Sequence, residues 1–193
     1  MRRVILGVLA VLFALSQAVT FSQSSMSPTS AIDITNAGIQ AVLKNAPPAV
    51  DQQLKIVDLG KLNLAVGVIH RGPTKDTGAI SGISHDNTTE TYIITSGSGT
   101  LTTGGTIENP RRAAADSEAV KVLNGPSTGG TNKGGYSRKV VPGDIIIIPA
   151  GVFHGWSGIT DHVTYLSVRP DPDKVLPAGY VHPTLKAAGS GGG

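Results

Sequence analysis

The stretch "GDIIIIPAGVFHGW" runs from Gly143 to Trp156. Gly143 opens a turn. The isoleucines from Ile145 to Ile148 form a short β-branched run, the composition that strands favour. Pro149 ends that run, because proline has no N–H to give to a ladder. Gly151 then permits a tight bend, and a new strand begins that carries His154. A histidine delivered in this way needs partners from elsewhere in the chain before it means more than a polar residue on a strand.

The partners come from "SHDNTTETYIITSGSG", Ser84 to Gly99. It holds His85, then Glu90, then a β-like run that ends in glycine turns. On a strand alternate residues point to one face, so Ile83 shares the face of His85 and Tyr92 that of Glu90. By the same rule Trp156 shares the face of His154.

Composition bounds what surrounds these stretches. The chain has 193 residues, enough for one domain with a real core. Its 25 glycines and 12 prolines suit many turns between short strands. There is no cysteine, so neither disulfides nor thiolate chemistry are available. The chain opens with "MRR", then the apolar run "VILGVLAVLFAL", then the small residues Ser16, Gln17 and Ala18. That order is a secretory signal peptide pattern, expected to span residues 1–22 with cleavage near 18–22. A retained anchor fits less well, since Ser16, Gln17 and Thr20 interrupt the run. The expected location is periplasmic or secreted, with no stable membrane anchor after cleavage. Without Arg2 and Arg3 the formal charge of +3 falls to +1. No basic stripe marks a nucleic-acid partner.

Along the chain, residues 23–48 read as a linker and a short helix. In "NAGIQAVLKNAPP", Thr35 or Asn36 caps the start, Ile39, Val42 and Leu43 share a face, and Pro47 and Pro48 stop it. From residue 49 to 172 the period shifts to near two. "KLNLAVGVIHRG" places Leu62, Leu64, Val66, Val68 and His70 on one face. The frequent β-runs between glycine turns predict an antiparallel sandwich or small barrel, an all-β fold with one short N-terminal helix. An insertion spans 104–136, loop-like at its start and end, with "SEAVKVL" expected as a short strand. Insertions of this length are often lids or binding loops, and as often plain surface loops. Residues 173–193 form a C-terminal extension whose "AAGSGGG" end reads as a flexible tail.

Taken together the two stretches resemble the paired motifs of the cupin superfamily. Gly143, Pro149, Gly151 and His154 fit every spacing of the second motif. His85, Glu90 and Gly97 fit the first, and the resemblance covers about Val57 to Arg169. It implies a conical antiparallel β-barrel, a jelly-roll-like double-stranded β-helix, with one metal inside. Two positions depart from the pattern: Ile83 stands where the family has its first histidine, and Gly158 where it often has asparagine. The remaining ligands are His85, Glu90 and His154, and the lost position becomes an apolar wall. Glu90 is expected on the next strand and His154 on a strand across the barrel.

Two imidazoles and one carboxylate match the facial triad that holds non-haem Fe(II) with open positions. The same set suits Zn(II) with a bound water; Mn(II) and Ni(II) are also compatible, because ligand identity does not fix the metal. The expected cofactor is therefore one divalent transition metal, iron first. His70 is a candidate fourth ligand or pocket residue. Ile83, Tyr92, Phe153 and Trp156 are candidate pocket-lining residues, with core packing as the competing reading of the aromatics. Arg71 and Arg169 are either carboxylate-binding groups or salt-bridged residues. His162 is expected to be exposed, and His182 to make an edge or tail contact. The function expected is that of an exported metal-dependent enzyme on a small molecule, of dioxygenase or oxidoreductase type. Decarboxylase, lyase and isomerase chemistry are compatible too. The alternative is a small-molecule or sugar binding protein whose metal is structural or vestigial. A homodimer is expected, with the N-terminal helical segment crossing to its partner.

Overall fold

The computed structural model describes residues 28–47, 50–75 and 78–189. The expected leader at 1–22 lies outside the described residues. Among them, no helix is long and apolar enough to cross a membrane.

Helix α1 spans Asn36–Asn45. Thr35 caps it by accepting a hydrogen bond from the Gly38 amide at 3.1 Å, which satisfies one donor that a helix start leaves orphaned. Among the described residues, eleven strands follow in two antiparallel sheets. The first sheet has the order β1-β2-β11-β4-β9. Its strands are β1 (Gln52–Asp58), β2 (Asn63–Arg71), β4 (Glu90–Gly97), β9 (Ile145–Ile148) and β11 (Val163–Asp171). The second has the order β6-β7-β3-β10-β5-β8. It comprises β3 (Ser81–His85), β5 (Gly99–Thr103), β6 (Thr106–Arg112), β7 (Ser127–Lys133), β8 (Tyr136–Val140) and β10 (His154–Ser157). The fold is the two-sheet antiparallel barrel that the motifs imply.

β11 displays the two-residue period most clearly. Val163, Tyr165, Ser167, Arg169 and Asp171 are all buried and point between the sheets. There Tyr165 packs with Ile69, Tyr92, Ile94, Leu101, Val140 and Ile148 in one core. The opposite face of the first sheet is covered by α1, where Val42 buries against Leu54 and Val68, flanked by Ile39, Leu43 and Leu166. Burying side chains of this size is worth roughly 1.5–3 kcal/mol each, so the short helix is held by packing more than by propensity. The face of β2 that carries Val66, Val68 and His70 is this outer, helix-covered face.

The insertion differs from expectation. Its start and end are not loops but strands β6 and β7, and β7 pairs directly with β3. "SEAVKVL" is not a strand: Ala119–Asn124 form a single π-helical turn with Leu123 buried. The local composition is as compatible with a turn of helix as with a strand, and packing over the barrel end decides. The described part of the C-terminal extension, residues 173–189, is ordered as well. Val181 bridges Lys55 on β1, His182 donates its backbone N–H to Leu54 O at 2.8 Å, and helix α2 spans Pro183–Gly189. Residues assigned to a flexible tail thus enter α2, and His182 makes the expected edge contact.

Candidate metal centre

His85 ends β3 and His154 begins β10. These strands are hydrogen-bonded neighbours, with Ile83 opposite His154 and Gly82 opposite Gly155. His154 therefore lies beside His85 in the same sheet and not across the barrel, as the sequence had led us to expect. The residue across the barrel is Glu90, at the first position of β4 in the facing sheet. The two histidine strands lie close because Gly82 has no side chain. A Cβ there would stand 2.2 Å from the His154 carbonyl oxygen.

The three side chains meet. Glu90 Oε2 lies 3.1 Å from His154 Nε2 and 3.4 Å from His85 Nε2. His85 and Glu90 are each 2% exposed, and His154 is 4% exposed. Among the described residues these three form the group of ligand atoms that can hold one ion, all within 4.8 Å of one another.

Hydrogen bonding assigns the ring protons. His154 Nδ1 lies 3.1 Å from the Val152 carbonyl oxygen. A carbonyl only accepts, so Nδ1 carries the hydrogen. Ser127 Oγ donates its one hydrogen to Gly125 O at 2.8 Å. It must then accept from His85 Nδ1, 2.7 Å away. Both imidazoles thus present a bare Nε2 lone pair to a carboxylate oxygen. Three lone-pair donors converging in a buried site repel unless a cation sits among them. Burial also pushes the His85 imidazole below its ordinary pKa, against the pull of Glu90. A metal ion fits this need better than added protons. Ligands about 2.1 Å from one ion stand about 3.0 Å apart at right angles and about 3.4 Å apart at the tetrahedral angle. The 3.1 and 3.4 Å separations fall within or at the edge of that range. An Nδ1–H donated to oxygen is also the usual way a ligating histidine is oriented.

Glu90 is fixed from behind. Its Oε1 accepts from Ser167 Oγ and from Arg169 Nε, each at 2.8 Å. Its Oε2 accepts from the Tyr92 hydroxyl at 2.9 Å. Burial would raise the Glu90 carboxyl, but the Arg169 guanidinium beside it opposes this, and the carboxyl lies well below the usual carboxylate range. Arg169, only 1% exposed, is itself held by Gln53 Oε1 at 2.9 Å, by Leu123 O at 3.3 Å and by Asp51. Burial raises the Asp51 carboxyl by more than Arg169 lowers it.

The remaining candidates divide. Ile83 is half-buried and directly opposite His154, as an apolar wall requires. Tyr92 is buried, and its ring meets that of His154 edge-on at 6.0 Å. Trp156 stacks on Tyr165 at 5.2 Å and on Tyr92 at 6.4 Å. Phe153 does not line the interior. It precedes His154 and so points to the opposite side, where its ring tip lies over Gly82 and Gly155. His70 is not near the centre either. Its strand face is the outer one, where it is exposed and hydrogen-bonded to Thr164 Oγ1 at 2.8 Å. Arg169 is salt-bridged inside the barrel, while Arg71 Nε bonds the Tyr165 hydroxyl at 2.9 Å. His162 is half-buried on the outer side. Sequence reasoning missed Ser127, Ser167, Asp51 and Gln53. Ser167 and Arg169 carry a legible signal, since they follow Tyr165 at the strand period. Ser127 carries none, because it sits in an insertion without a motif.

No protein-family model matches the chain, and no curated protein matches it. Solved structures do. A Bacillus halodurans protein is 16% identical over 84% of this chain and 98% of its own, with a TM-score of 0.45. A Klebsiella pneumoniae protein described by a double-stranded beta-helix domain is 17% identical over 68% of this chain and 88% of its own, at TM-score 0.40. The DMSP lyase DddQ of Ruegeria pomeroyi is 14% identical over 68% of this chain and 50% of its own, also at 0.40.

Proposed function

We propose that this chain is an exported mononuclear metalloprotein that acts on a small molecule, and that its chemistry is of the oxidoreductase type. The observation that carries the reading is the pair of bare Nε2 lone pairs aimed at Glu90 Oε2. His85, His154 and Glu90 hold the ion, with Fe(II) the best match to two imidazoles and one carboxylate and Zn(II), Mn(II) or Ni(II) alternatives. Such an ion, when bound, supplies Lewis acidity and an anchoring point for dioxygen or substrate. The chain's own residues do the rest. Ser127 and the Val152 carbonyl fix the imidazole planes. Ser167 and Arg169 fix Glu90. The Tyr92 hydroxyl stands on the same carboxylate oxygen and can hold a proton there; burial and Glu90 push its pKa well above the ordinary value. Ile83, Tyr92 and Trp156 form an apolar surround that excludes water and favours a small, largely apolar substrate.

A second reading has one observation in its favour: all three ligands are at most 4% exposed. That suits a binding protein in which the metal stiffens the barrel. We further propose that the chain is a homodimer.

The test begins with elemental analysis of purified protein and of His154→Ala and Glu90→Gln. One first-row metal per chain in the wild type and a loss of at least tenfold in both variants support the site. A wild type that takes up no metal after reconstitution with Fe(II), Zn(II), Mn(II) or Ni(II) removes it. Nitric oxide binding to the Fe(II) form separates the two readings. A high-spin iron–nitrosyl signal requires an open position, and its absence favours the structural role.

A further inference from the structure

On the far side of the first sheet lies a cleft of about 600 Å³ between α1 and strands β2, β4 and β11. It is separate from the metal centre, whose ligands point to the other face. Its floor crosses the sheet in one row: His70 on β2 pairs with Thr164 on β11, and Thr164 pairs with Ser96 on β4. Ser96 reaches this face through a local irregularity. Tyr165 pairs with Ile94 but Thr164 pairs with Ser96, so Thr95 is an extra residue. Without that bulge strict alternation from Ile94 would turn Ser96 into the barrel. Bulges often re-aim a side chain in this way.

Ser96 then meets a base. His162 Nε2 lies 3.1 Å from Ser96 Oγ, and His162 Nδ1 lies 2.7 Å from Asp161 Oδ2. The carboxylate only accepts, so Nδ1 carries the ring hydrogen. Nε2 is left as the lone pair that accepts the Ser96 hydroxyl proton. Gly97 makes the approach possible, since a Cβ at that position would stand 2.0 Å from the His162 carbonyl oxygen. His70 stacks against His162 at 5.4 Å and limits its rotation. Nucleophile, base and orienting carboxylate are thus in order and within reach, which is how such a constellation is recognised on any fold. The opposite wall is α1, where Ile39 and Leu43 give an apolar surface and Gln40 and Lys44 give hydrogen-bond donors.

We propose that this cleft is a second, hydrolytic site for esters of small carboxylic acids, with Ser96 as nucleophile and His162 as general base. Ser96 Oγ adds to the ester carbonyl carbon as its proton passes to His162 Nε2. The bond from acyl carbon to alcohol oxygen breaks, and the alcohol leaves with that proton. Water then adds to the acyl carbon and gives a proton to Nε2. The bond to Ser96 breaks, Oγ takes the proton back, and the acid is released. Gln40 and Lys44 are the donors available to the acyl oxygen. Asp161 is 88% exposed, so water screens its charge and its share is small.

The experiment uses the full mature chain, with and without a chelator. It is treated with a fluorophosphonate probe and digested for peptide mass spectrometry, and hydrolysis of p-nitrophenyl acetate and butyrate is followed in parallel. The expected result is a label on Ser96 and hydrolysis that survives chelation. Ser96→Ala should lose the label and at least about 100-fold of the rate, and His162→Gln a similar factor. Asp161→Asn should lose less than about tenfold. Ser96 is half-exposed, so these variants should keep the wild-type circular dichroism. Absence of label on Ser96 in the wild type overturns the proposal without reference to any variant. So does a Ser96→Ala protein that keeps more than about half the rate. Either outcome leaves the metal centre untouched, because metal content is measured separately.

Discussion

Replacing Arg169 by methionine tests whether the barrel interior is held by charge or merely tolerates it. The guanidinium is 1% exposed and bonds to Glu90, Gln53, Asp51 and the Leu123 carbonyl. Removing it leaves two carboxylates behind. Glu90 keeps Ser167 and Tyr92 as donors. Asp51 is worse placed, because its Oδ1 is already buried without a hydrogen-bond partner among the described residues. Breaking a buried ion pair from one side costs about 3–5 kcal/mol, a large part of the roughly 5–15 kcal/mol that stabilises a domain. The loss must depend on pH. In the wild type the Glu90 carboxyl is held low, so its contribution is present above the ordinary carboxylate range and fades as pH falls through the lowered value. In the variant both carboxyls prefer the neutral form, so the penalty grows as pH rises through about 4 and beyond. Both effects widen the gap toward neutral pH. Urea unfolding of chelator-treated protein, followed by fluorescence of the single tryptophan, should give the full loss at pH 7 and about half of it or less near pH 4.5. Adding Glu90→Gln and Asp51→Asn removes the stranded charges and should recover all but about 1–2 kcal/mol. A loss under about 1 kcal/mol at pH 7, or one equal at both pH values, refutes the reasoning.

Other perturbations probe single contacts. Ser127→Ala removes the acceptor that orients His85 and should weaken metal affinity by about 10–100-fold in a chelator competition; unchanged affinity would mean His85 is oriented by something else. In Gly82→Ala the new methyl stands 2.2 Å from the His154 carbonyl oxygen and 2.5 Å from Phe153 Cζ. It must part β3 from β10, with an expected cost of about 1–3 kcal/mol by thermal or urea unfolding and a weaker metal site alongside. Thr35→Ala should cost about 1 kcal/mol and Thr35→Asp only a few tenths; equal losses would show that packing of Val42, not the cap, sets the start of α1.

The fold was legible because its punctuation is local. Proline and glycine at 143, 149 and 151 fix a strand, a turn and a strand whatever the rest of the chain does. The alternation along β11 likewise requires one buried face. What was not legible is the assignment of strands to sheets. Nothing local says that His154 pairs beside Ile83 while Glu90 faces both from the other sheet, since register and sheet membership are settled by long-range packing. The insertion misled for a related reason. "SEAVKVL" has no strong period, β6 is polar and β7 is polar with two glycines, so the pairing of β6 with β7 and of β7 with β3 leaves little trace in hydrophobicity.

The same distinction explains the site. A ligand histidine is announced by the motif that delivers it, but the atoms that make it a ligand are its second hydrogen bonds. Those come from positions that motifs do not constrain. Ser127 belongs to the insertion, Val152 contributes only a carbonyl, Asp51 just precedes the first strand and Gln53 lies on it. His70 shows the converse error. Its spacing with Leu64, Val66 and Val68 correctly placed all four on one face, yet period alone cannot say which face looks inward. That was decided by α1, whose Val42 buries against Val68 and so claims that side of the sheet. Once the helix is there, His70 must join the outer cleft, and the interior must be satisfied without it. A barrel face that carries Ile83 beside two imidazoles and one carboxylate has an apolar wall next to three converging lone pairs. Such a pocket can be stable only if a cation, a proton or a bound polar ligand completes it.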